Sequence, residues 1–183
     1  MKKNAIIIVI GAVILSFIAY ENARYTLDDD DLVVITQFGE LTGTARNVSG
    51  EYFKIPFIHK AHYLIKTPRI MKIKPEIMTK DRQVHQLESR AVWKISDPVK
   101  YYRSLNSDKL ARDYVYDKVV EALYPIIDKY EYKELIDEAK SAQLKELYGR
   151  YDIQQRIKEA SESKLSDVGI GLDYFELKLA GSA

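Results

Sequence analysis

The amino-acid sequence predicts an α+β fold, in which an antiparallel, mostly β subdomain is followed by an α/β subdomain, both behind a single N-terminal transmembrane helix. Three patterns predict this order. Residues 4–20 form an apolar run behind two lysines, residues 32–95 contain alternating extended segments, and from residue 97 the apolar positions recur at helical spacing until a final alternating segment. We therefore expect a membrane anchor at residues 1–23, a β subdomain at 24–96, an α/β subdomain at 97–180 and a short tail at 181–183.

The first pattern is the sequence NAIIIVIGAVILSFIAY, which carries no charged side chain. At about 1.5 Å per residue, a helix of this length spans roughly 25 Å, slightly less than the ~30 Å hydrocarbon core of a bilayer. In lipid a helix is favoured because it satisfies every backbone N–H and C=O group internally. The side chains expected to contact lipid are Ala5, Ile6, Ile7, Ile8, Val9, Ile10, Val13, Ile14, Leu15, Phe17 and Ile18.

A cleaved secretory signal is the main alternative to an uncleaved anchor. Such signals end in a small-x-small cleavage site, whereas here Phe17 stands two residues before Ala19, and Glu21 two residues before Ala23. A buried core helix would be shorter, and an interfacial amphipathic helix would carry a charged face. We therefore favour an uncleaved signal anchor.

Basic residues predict the orientation of this anchor. Lys2 and Lys3 precede the run, whereas Arg24 is the only lysine or arginine between the run and Arg46. Because lysine and arginine are retained on the cytoplasmic side, we expect a cytoplasmic N-terminus and a body that faces outward.

Composition limits the classes of function that the body can have. The 183-residue chain has 28 basic and 27 acidic residues, and its net charge of +1 gives no strong field that would attract nucleic acid. Cysteine is absent, which excludes thiol catalysis, thiolate metal ligands and disulfides. We interpret the acidic run Asp28–Asp31 as a solvated linker, since calcium loops alternate their ligands with spacer residues and glycine.

The β subdomain is predicted to begin with a strand at residues 32–38 and to end with its longest strand, Val84–Ile95. One face of the longest strand carries Leu87, Ser89, Ala91, Trp93 and Ile95, and the other face is polar except for Val92. This alternation predicts that Trp93 is buried.

Residues 51–58, EYFKIPFI, allow two interpretations. Alternation places Phe53, Ile55 and Phe57 on one face, which is typical of an ordinary β core. The alternative is an apolar patch that dips into the outer leaflet beside the anchor. We favour the core for these three residues and leave Ile58 unassigned.

Helix signals dominate the second subdomain. Asp97-Pro98 combines an N-cap with proline at the first helical position, and Ser107-Asp108 marks a second helix start. Pro125 is expected to kink or interrupt that second helix. A last helix at about residues 152–167 and a strand after Gly169 complete the α/β subdomain.

Tyrosines are concentrated in this second subdomain. A tyrosine has a large apolar ring with a polar tip, so it suits both half-buried packing and subunit interfaces. Most are expected to pack helices against the sheet. Four of them flank helix ends and are our candidates for a subunit interface: Tyr101, Tyr102, Tyr130 and Tyr132.

The sequence does not favour an enzyme. In an extended segment His59 and His62 point to opposite faces, so they would not converge on one metal ion. The third histidine, His85, is interpreted as an isolated side chain. No HExxH, GxSxG or phosphate-binding glycine loop is present, and no local pattern marks a serine–lysine dyad. We expect no catalytic, cofactor or metal site.

The order of several short segments carries a family resemblance. They are QFGE at residues 37–40, GEYFKIPFI at 50–58, TKD at 79–81, VWKISDP at 92–98 followed by Tyr101-Tyr102, and Gly169-Ile170 opening a strand. With the N-terminal anchor, this order resembles the stomatin/prohibitin/flotillin/HflK-HflC superfamily (SPFH or band 7), most of all its HflC-like members. Ser49 stands where the family usually has proline, and relatives continue into a long helical region whereas this sequence stops at Ala183.

This resemblance implies an SPFH fold and a non-enzymatic, multimeric membrane scaffold. HflC-like proteins pair with HflK-like partners in a hetero-oligomer at the bacterial inner membrane, where they restrict the access of substrates to the AAA+ protease FtsH. The implied partners are an HflK-like protein, an FtsH-like membrane protease and the lipid bilayer, with no nucleic acid and no cofactor. The alternative is a stand-alone extracytoplasmic lipid- or ligand-binding module that organises the membrane.

Overall fold

The computed structural model describes residues 2–133, 135 and 149–179, with side-chain positions left out for residues 2–9, 149–152, 178 and 179. The elements are α1 (Lys2–Ala23), β1 (Arg24–Leu27), β2 (Asp31–Gln37), β3 (Glu40–Arg46), β4 (Gly50–Phe53), β5 (His59–Ile65), β6 (Arg69–Ile73), β7 (Glu76–Met78), β8 (Val84–Ile95), α2 (Pro98–Ser104), α3 (Asp108–Ile127), α4 (Gly149–Asp167) and β9 (Ile170–Leu179). The mixed α+β content agrees with the predicted fold class. The predicted tail at residues 181–183 lies outside the described residues.

Backbone contacts divide the chain into an N-terminal unit, Met1–Lys66, and a C-terminal unit, Thr67–Ala183. The predicted division at residue 96 followed the change from alternating to helical spacing. The contacts group β6, β7 and β8 with the helices instead, because β8 pairs along its length with β9.

The N-terminal unit is built around β2. This strand lies between β3 and β5 in a three-stranded antiparallel sheet, and β1 pairs with β4 in a separate two-stranded sheet. All five residues from Leu32 to Thr36 are buried, so both faces of β2 are covered. The core of the unit consists of Tyr25, Leu27, Val33 and Ile35, with Tyr52 and Ala61 packed against them.

The C-terminal unit is organised around β8. This strand pairs with β6 and β7 on one side and with β9 on the other, all antiparallel. Its bounds are those predicted, and the predicted inner face is buried: Leu87, Ser89, Ala91, Trp93 and Ile95. The prediction that Trp93 is buried is therefore confirmed.

Two helices supply the remaining core of the C-terminal unit. In α3 the buried side chains recur at helical spacing and are Ala111, Val115, Val119, Leu123, Ile126 and Ile127. In α4 they are Ile153, Ile157, Ser161 and Leu165. The helix α3 continues through Pro125 to Ile127, so the predicted interruption at Pro125 does not occur.

The short helix α2 starts at the predicted cap. The Asp97 carboxylate accepts hydrogen bonds from the backbone N–H groups of Val99 and Lys100, both at 3.0 Å, and Pro98 occupies the first helical position. This cap satisfies two of the N–H groups that a helix N-terminus leaves without intrahelical partners. The Ser107 side chain makes no corresponding bond at the start of α3.

We expect Asp97→Ala to lower the free energy of unfolding by about 1 kcal/mol, because the first turn of α2 loses its cap. Ser107→Ala is the matched control, since that side chain caps nothing, and it should change stability by less than about 0.5 kcal/mol. Trp93 is the single tryptophan of the chain, so its fluorescence during denaturant titration reports on the C-terminal unit. Equal losses of unfolding free energy for the two variants would contradict the role of Asp97 as the cap of α2.

Candidate interaction surfaces

The predicted anchor residues lie on α1. The side chains of Ala5, Ile6, Ile7, Ile8 and Val9 fall outside the described part, whereas Ile10, Val13, Ile14, Leu15, Phe17 and Ile18 are described and are 44% to 69% exposed. In the described portion of the chain, no helix meets the combined length and hydropathy that a membrane span requires. The transmembrane assignment of residues 1–23 stays a prediction.

The apolar side chains of residues 53–57 are exposed, so the prediction that they form a β core is wrong. Phe53 is 68%, Ile55 51% and Phe57 87% exposed. The alternation argument fails because β4 ends at Phe53 and pairs only with β1. Beyond Phe53 the chain leaves the sheet and turns, and the His59 N–H closes the turn by donating to the Ile55 carbonyl at 2.9 Å.

A further phenylalanine lies beside this turn. Phe38 follows β2 and is 77% exposed, and its N–H donates to the Ile58 carbonyl at 3.1 Å. Phe38 and Phe57 both have left-handed backbones, with φ of 51° and 64°. We call the exposed set Phe38, Phe53, Ile55 and Phe57 the phenylalanine patch. Phe38 was not among the residues predicted from the sequence, although the Phe-Gly turn at the end of a strand marks its position.

The patch is tied to the end of α1 within the same unit. The Lys54 N–H donates to the Ala23 carbonyl at 2.7 Å, and Phe53 is the register partner of Arg24. Arg24 forms an ion pair with Glu51 at 2.8 Å and lies 5.8 Å from the centre of the Tyr20 ring. The backbone therefore joins the patch directly to the base of the apolar helix.

Tyr101 is buried, which removes it from the candidate interface. Its side chain is 1% exposed, and its hydroxyl donates to the Asp108 carboxylate at 3.2 Å. Burial and the neighbouring Asp108 charge raise the pKa of Tyr101 to about 12. Asp108 also pairs with Arg69 at 2.9 Å, so Tyr101 belongs to an internal polar cluster that joins β6, α2 and α3.

The other three candidate tyrosines are half-buried. The Tyr132 ring stacks on the His85 ring, with centroids 3.4 Å apart and planes 4° apart. The Tyr130 carbonyl accepts a hydrogen bond from the Lys80 N–H at 2.9 Å. These contacts connect the residues after α3 to the turn between β7 and β8 and to the start of β8. Part of each of these three side chains remains accessible to solvent.

The outer face of the C-terminal sheet carries a second exposed apolar row. Val92, which broke the predicted alternation, is the register partner of both Ile70 and Tyr174. Ile70 and Tyr174 are exposed. Lys94 on β8 and Asp173 on β9 form an ion pair at 2.8 Å. An apolar row bordered by charge is a common feature of protein contact surfaces.

The histidines occupy separate environments. His62 Nε2 lies 3.0 Å from the Thr36 hydroxyl, and burial together with Lys60 lowers the pKa of His62. His59 is the first residue of β5, and His85 stacks on Tyr132. Among the residues described, no group of three or more histidine, aspartate or glutamate side chains is placed to hold a metal ion.

Comparison with known families identifies the fold. A model described as SPFH domain / Band 7 family matches residues 26–180. The chain belongs to the SPFH domain / Band 7 family. The resemblance inferred from the short sequence segments is thereby confirmed, and every segment that carried it after the anchor lies within the matched residues.

The SPFH chain is also similar to Protein HflC of Treponema pallidum (strain Nichols). The two sequences are 31% identical over 121 residues, which cover 66% of this chain and 36% of that protein. The chain therefore corresponds to about a third of the length of this relative.

Proposed function

We propose that this SPFH chain is a non-enzymatic, membrane-anchored scaffold subunit. With an HflK-like partner it forms a hetero-oligomer that restricts the access of substrates to an FtsH-like AAA+ protease. The observation that carries this proposal is the similarity to Protein HflC across two-thirds of the chain, within an SPFH match over residues 26–180.

The proposal places the body on the outer face of a bacterial inner membrane, with α1 as a single-pass anchor and the N-terminus in the cytoplasm. The uncharged run at residues 5–19 supports the anchor, as do the exposed apolar side chains of residues 10–18. Lys2 and Lys3, followed by an acidic segment beyond the run, support the orientation.

Subunit contacts are proposed to involve the candidate tyrosines Tyr102, Tyr130 and Tyr132, and the first two are chosen for the test. Both are half-buried and lie near helix ends in the C-terminal unit, where a partner can cover the remaining ring surface. Tyr116 on α3 is also partly exposed but is not part of this proposal, and it provides a matched control.

The assembly is tested by extracting the full, tagged chain from bacterial membranes with a mild detergent and measuring the native mass of what is recovered. We expect a high-mass complex that contains an HflK-like protein and an FtsH-like protease. Tyr102→Ala and Tyr130→Ala should reduce the recovered mass, whereas Tyr116→Ala should not. A monomer without either protein would contradict the proposal and favour the stand-alone lipid- or ligand-binding module.

The orientation is tested with single cysteines, because the natural chain has none. A membrane-impermeant maleimide added to intact spheroplasts should label Val48→Cys, at an exposed position of the body, and spare Asn4→Cys. Both positions should react after the membrane is opened. The reverse pattern would place the body in the cytoplasm.

A further inference from the structure

The outer face of the C-terminal sheet places two cations directly opposite each other. Lys72 on β6 is the register partner of Arg90 on β8, and both side chains are exposed. Like charges opposite each other on neighbouring strands destabilise a sheet. On its other side Arg90 has Glu176 of β9 as its register partner, whereas the register partner of Lys72 on β8 is itself a cation. The pair therefore costs stability that a carboxylate at position 72 would restore.

A small cleft opens at these two cations. Its volume is about 120 Å³, and it is lined by Lys72, Lys74, Glu88, Ser89 and Arg90. Glu88 forms an ion pair with Lys74, and the Ser89 hydroxyl donates to a backbone carbonyl of β6 at 3.3 Å. Because Glu88 offsets the charge of Lys74, the positive charge of the cleft comes from Lys72 and Arg90.

The size and charge of the cleft indicate the class of ligand. A water molecule takes up roughly 30 Å³ in the liquid, so the cleft has room for about four waters and is smaller than the ~300–1,000 Å³ pockets that hold drug-sized ligands. A phosphate group fits this space. It carries up to two negative charges near neutral pH and presents several acceptor oxygens, which suit an ammonium group and the planar guanidinium fork together.

We propose that the cleft between β6 and β8 binds a phosphate group, with Lys72 and Arg90 as the cations that hold it and the Lys74–Glu88 pair at its border. The bound anion converts the repulsion between the two cations into attraction to a shared partner. Binding sites commonly retain such locally destabilising groups, because function needs them. The source of the phosphate is a soluble ester or a lipid headgroup, and the site does not depend on the proposed assembly.

Lysine acetylation of the full chain in mild detergent measures occupancy at the residue itself. Inorganic phosphate replaces chloride at constant ionic strength, and mass spectrometry follows the reaction of each lysine with acetic anhydride. At a phosphate concentration ten times its Kd, Lys72 should react about tenfold more slowly, since roughly one site in ten stays empty. Lys129, exposed after α3 in the same unit, is the internal control and should not change. Equal slowing of both lysines would show general screening by an adventitious ion only and would overturn the site.

The variant Lys72→Glu tests the balance between stability and binding. Without phosphate it should raise the urea midpoint of the C-terminal unit, because a carboxylate then stands opposite Arg90. It should also abolish the further rise that phosphate gives the native chain. Lys129→Glu changes the net charge equally and should keep the phosphate-dependent rise. A phosphate effect that survives in Lys72→Glu, or a midpoint that falls without phosphate, would contradict the proposal.

Nanodiscs distinguish the two sources of phosphate. The full chain is placed in discs of phosphatidylcholine or of phosphatidylglycerol, and acetylation of Lys72 is compared with that of Lys129. Slower acetylation of Lys72 in phosphatidylglycerol discs without added phosphate assigns the site to an anionic headgroup. Slower acetylation only after glycerol 3-phosphate is added assigns it to a soluble ester. Unchanged acetylation of Lys72 under every condition would overturn the site.

Discussion

Trp93→Ala is expected to lower the free energy of unfolding of the C-terminal unit by about 3–5 kcal/mol, the usual loss for a large aromatic side chain removed from a core. Trp93 is fully buried in the central strand β8, where its register partners are Arg69 on β6 and Leu172 on β9. Its removal leaves a cavity at the point where both neighbouring strands meet β8.

The loss also disturbs the charged cluster beside the ring. The Arg69 guanidinium lies 4.8 Å from the Trp93 ring centre and pairs with Asp108, which in turn accepts the Tyr101 hydroxyl. Without the indole, the largely buried Arg69 loses the apolar surface on which it rests. The loss of unfolding free energy for Trp93→Ala should therefore fall in the upper part of the range of about 3–5 kcal/mol.

Val92→Ala is the matched control, because Val92 is the adjacent residue and faces outward. It should cost less than about 1 kcal/mol. Urea titration of the detergent-solubilised chain, followed by circular dichroism because Trp93→Ala removes the fluorescent probe, measures both variants. A loss below about 1 kcal/mol for Trp93→Ala would contradict its burial in the sheet.

Gly169→Ala is the second change expected to have a large effect, about 3–5 kcal/mol from left-handed strain and overpacking together. Gly169 connects α4 to β9 with φ of 76°, and an added Cβ would lie 2.2 Å from the Asp97 carbonyl oxygen and 2.7 Å from the Tyr101 nitrogen. Those two atoms form the first backbone hydrogen bond of α2, at 3.0 Å. The methyl group would therefore push the start of α2 away from the turn.

Two control variants separate the effect of left-handed backbone strain from the effect of the close approach. Gly43→Ala has the same φ of 76° with open space around the added Cβ, so it should cost only the left-handed strain of about 1–2 kcal/mol. Gly171→Ala has ordinary φ and meets Ser96 at 3.4 Å, so it should cost less than about 1 kcal/mol. Gly43 lies in the N-terminal unit and Gly169 in the C-terminal unit, so denaturation is followed by circular dichroism, which reports on both. If Gly169→Ala lowers the free energy of unfolding no more than Gly43→Ala does, the close approach of the added Cβ to Asp97 and Tyr101 is not destabilising.

Local signals were sufficient to predict the elements that depend on few neighbours. The alternation in β8 gave its bounds and its buried face, since both sides of that strand are paired and one face is covered throughout. Asp97 and Pro98 predicted the start of α2 because capping is a property of adjacent residues.

Features that depend on distant partners were not predictable in this way. Phe53, Ile55 and Phe57 alternate like a core strand, yet the strand ends at Phe53 and the rest forms a turn. Tyr101 looked like a surface residue at a helix end, yet its ring is buried and its hydroxyl bonds to Asp108 on α3. The grouping of β6 to β8 with the helices depends on β9, which follows much later in the chain.

The pairing of β8 with β9 has a consequence for biosynthesis. Ile95 pairs with Ile170 and Leu87 with Leu179, so the central strand of the C-terminal unit meets this neighbour only after residues 96–169 have been synthesised. Every strand pairing of the N-terminal unit, by contrast, lies within residues 24–65. Closing long loops is slow, so the nascent chain can complete its first unit while β8 still presents an open edge to chaperones.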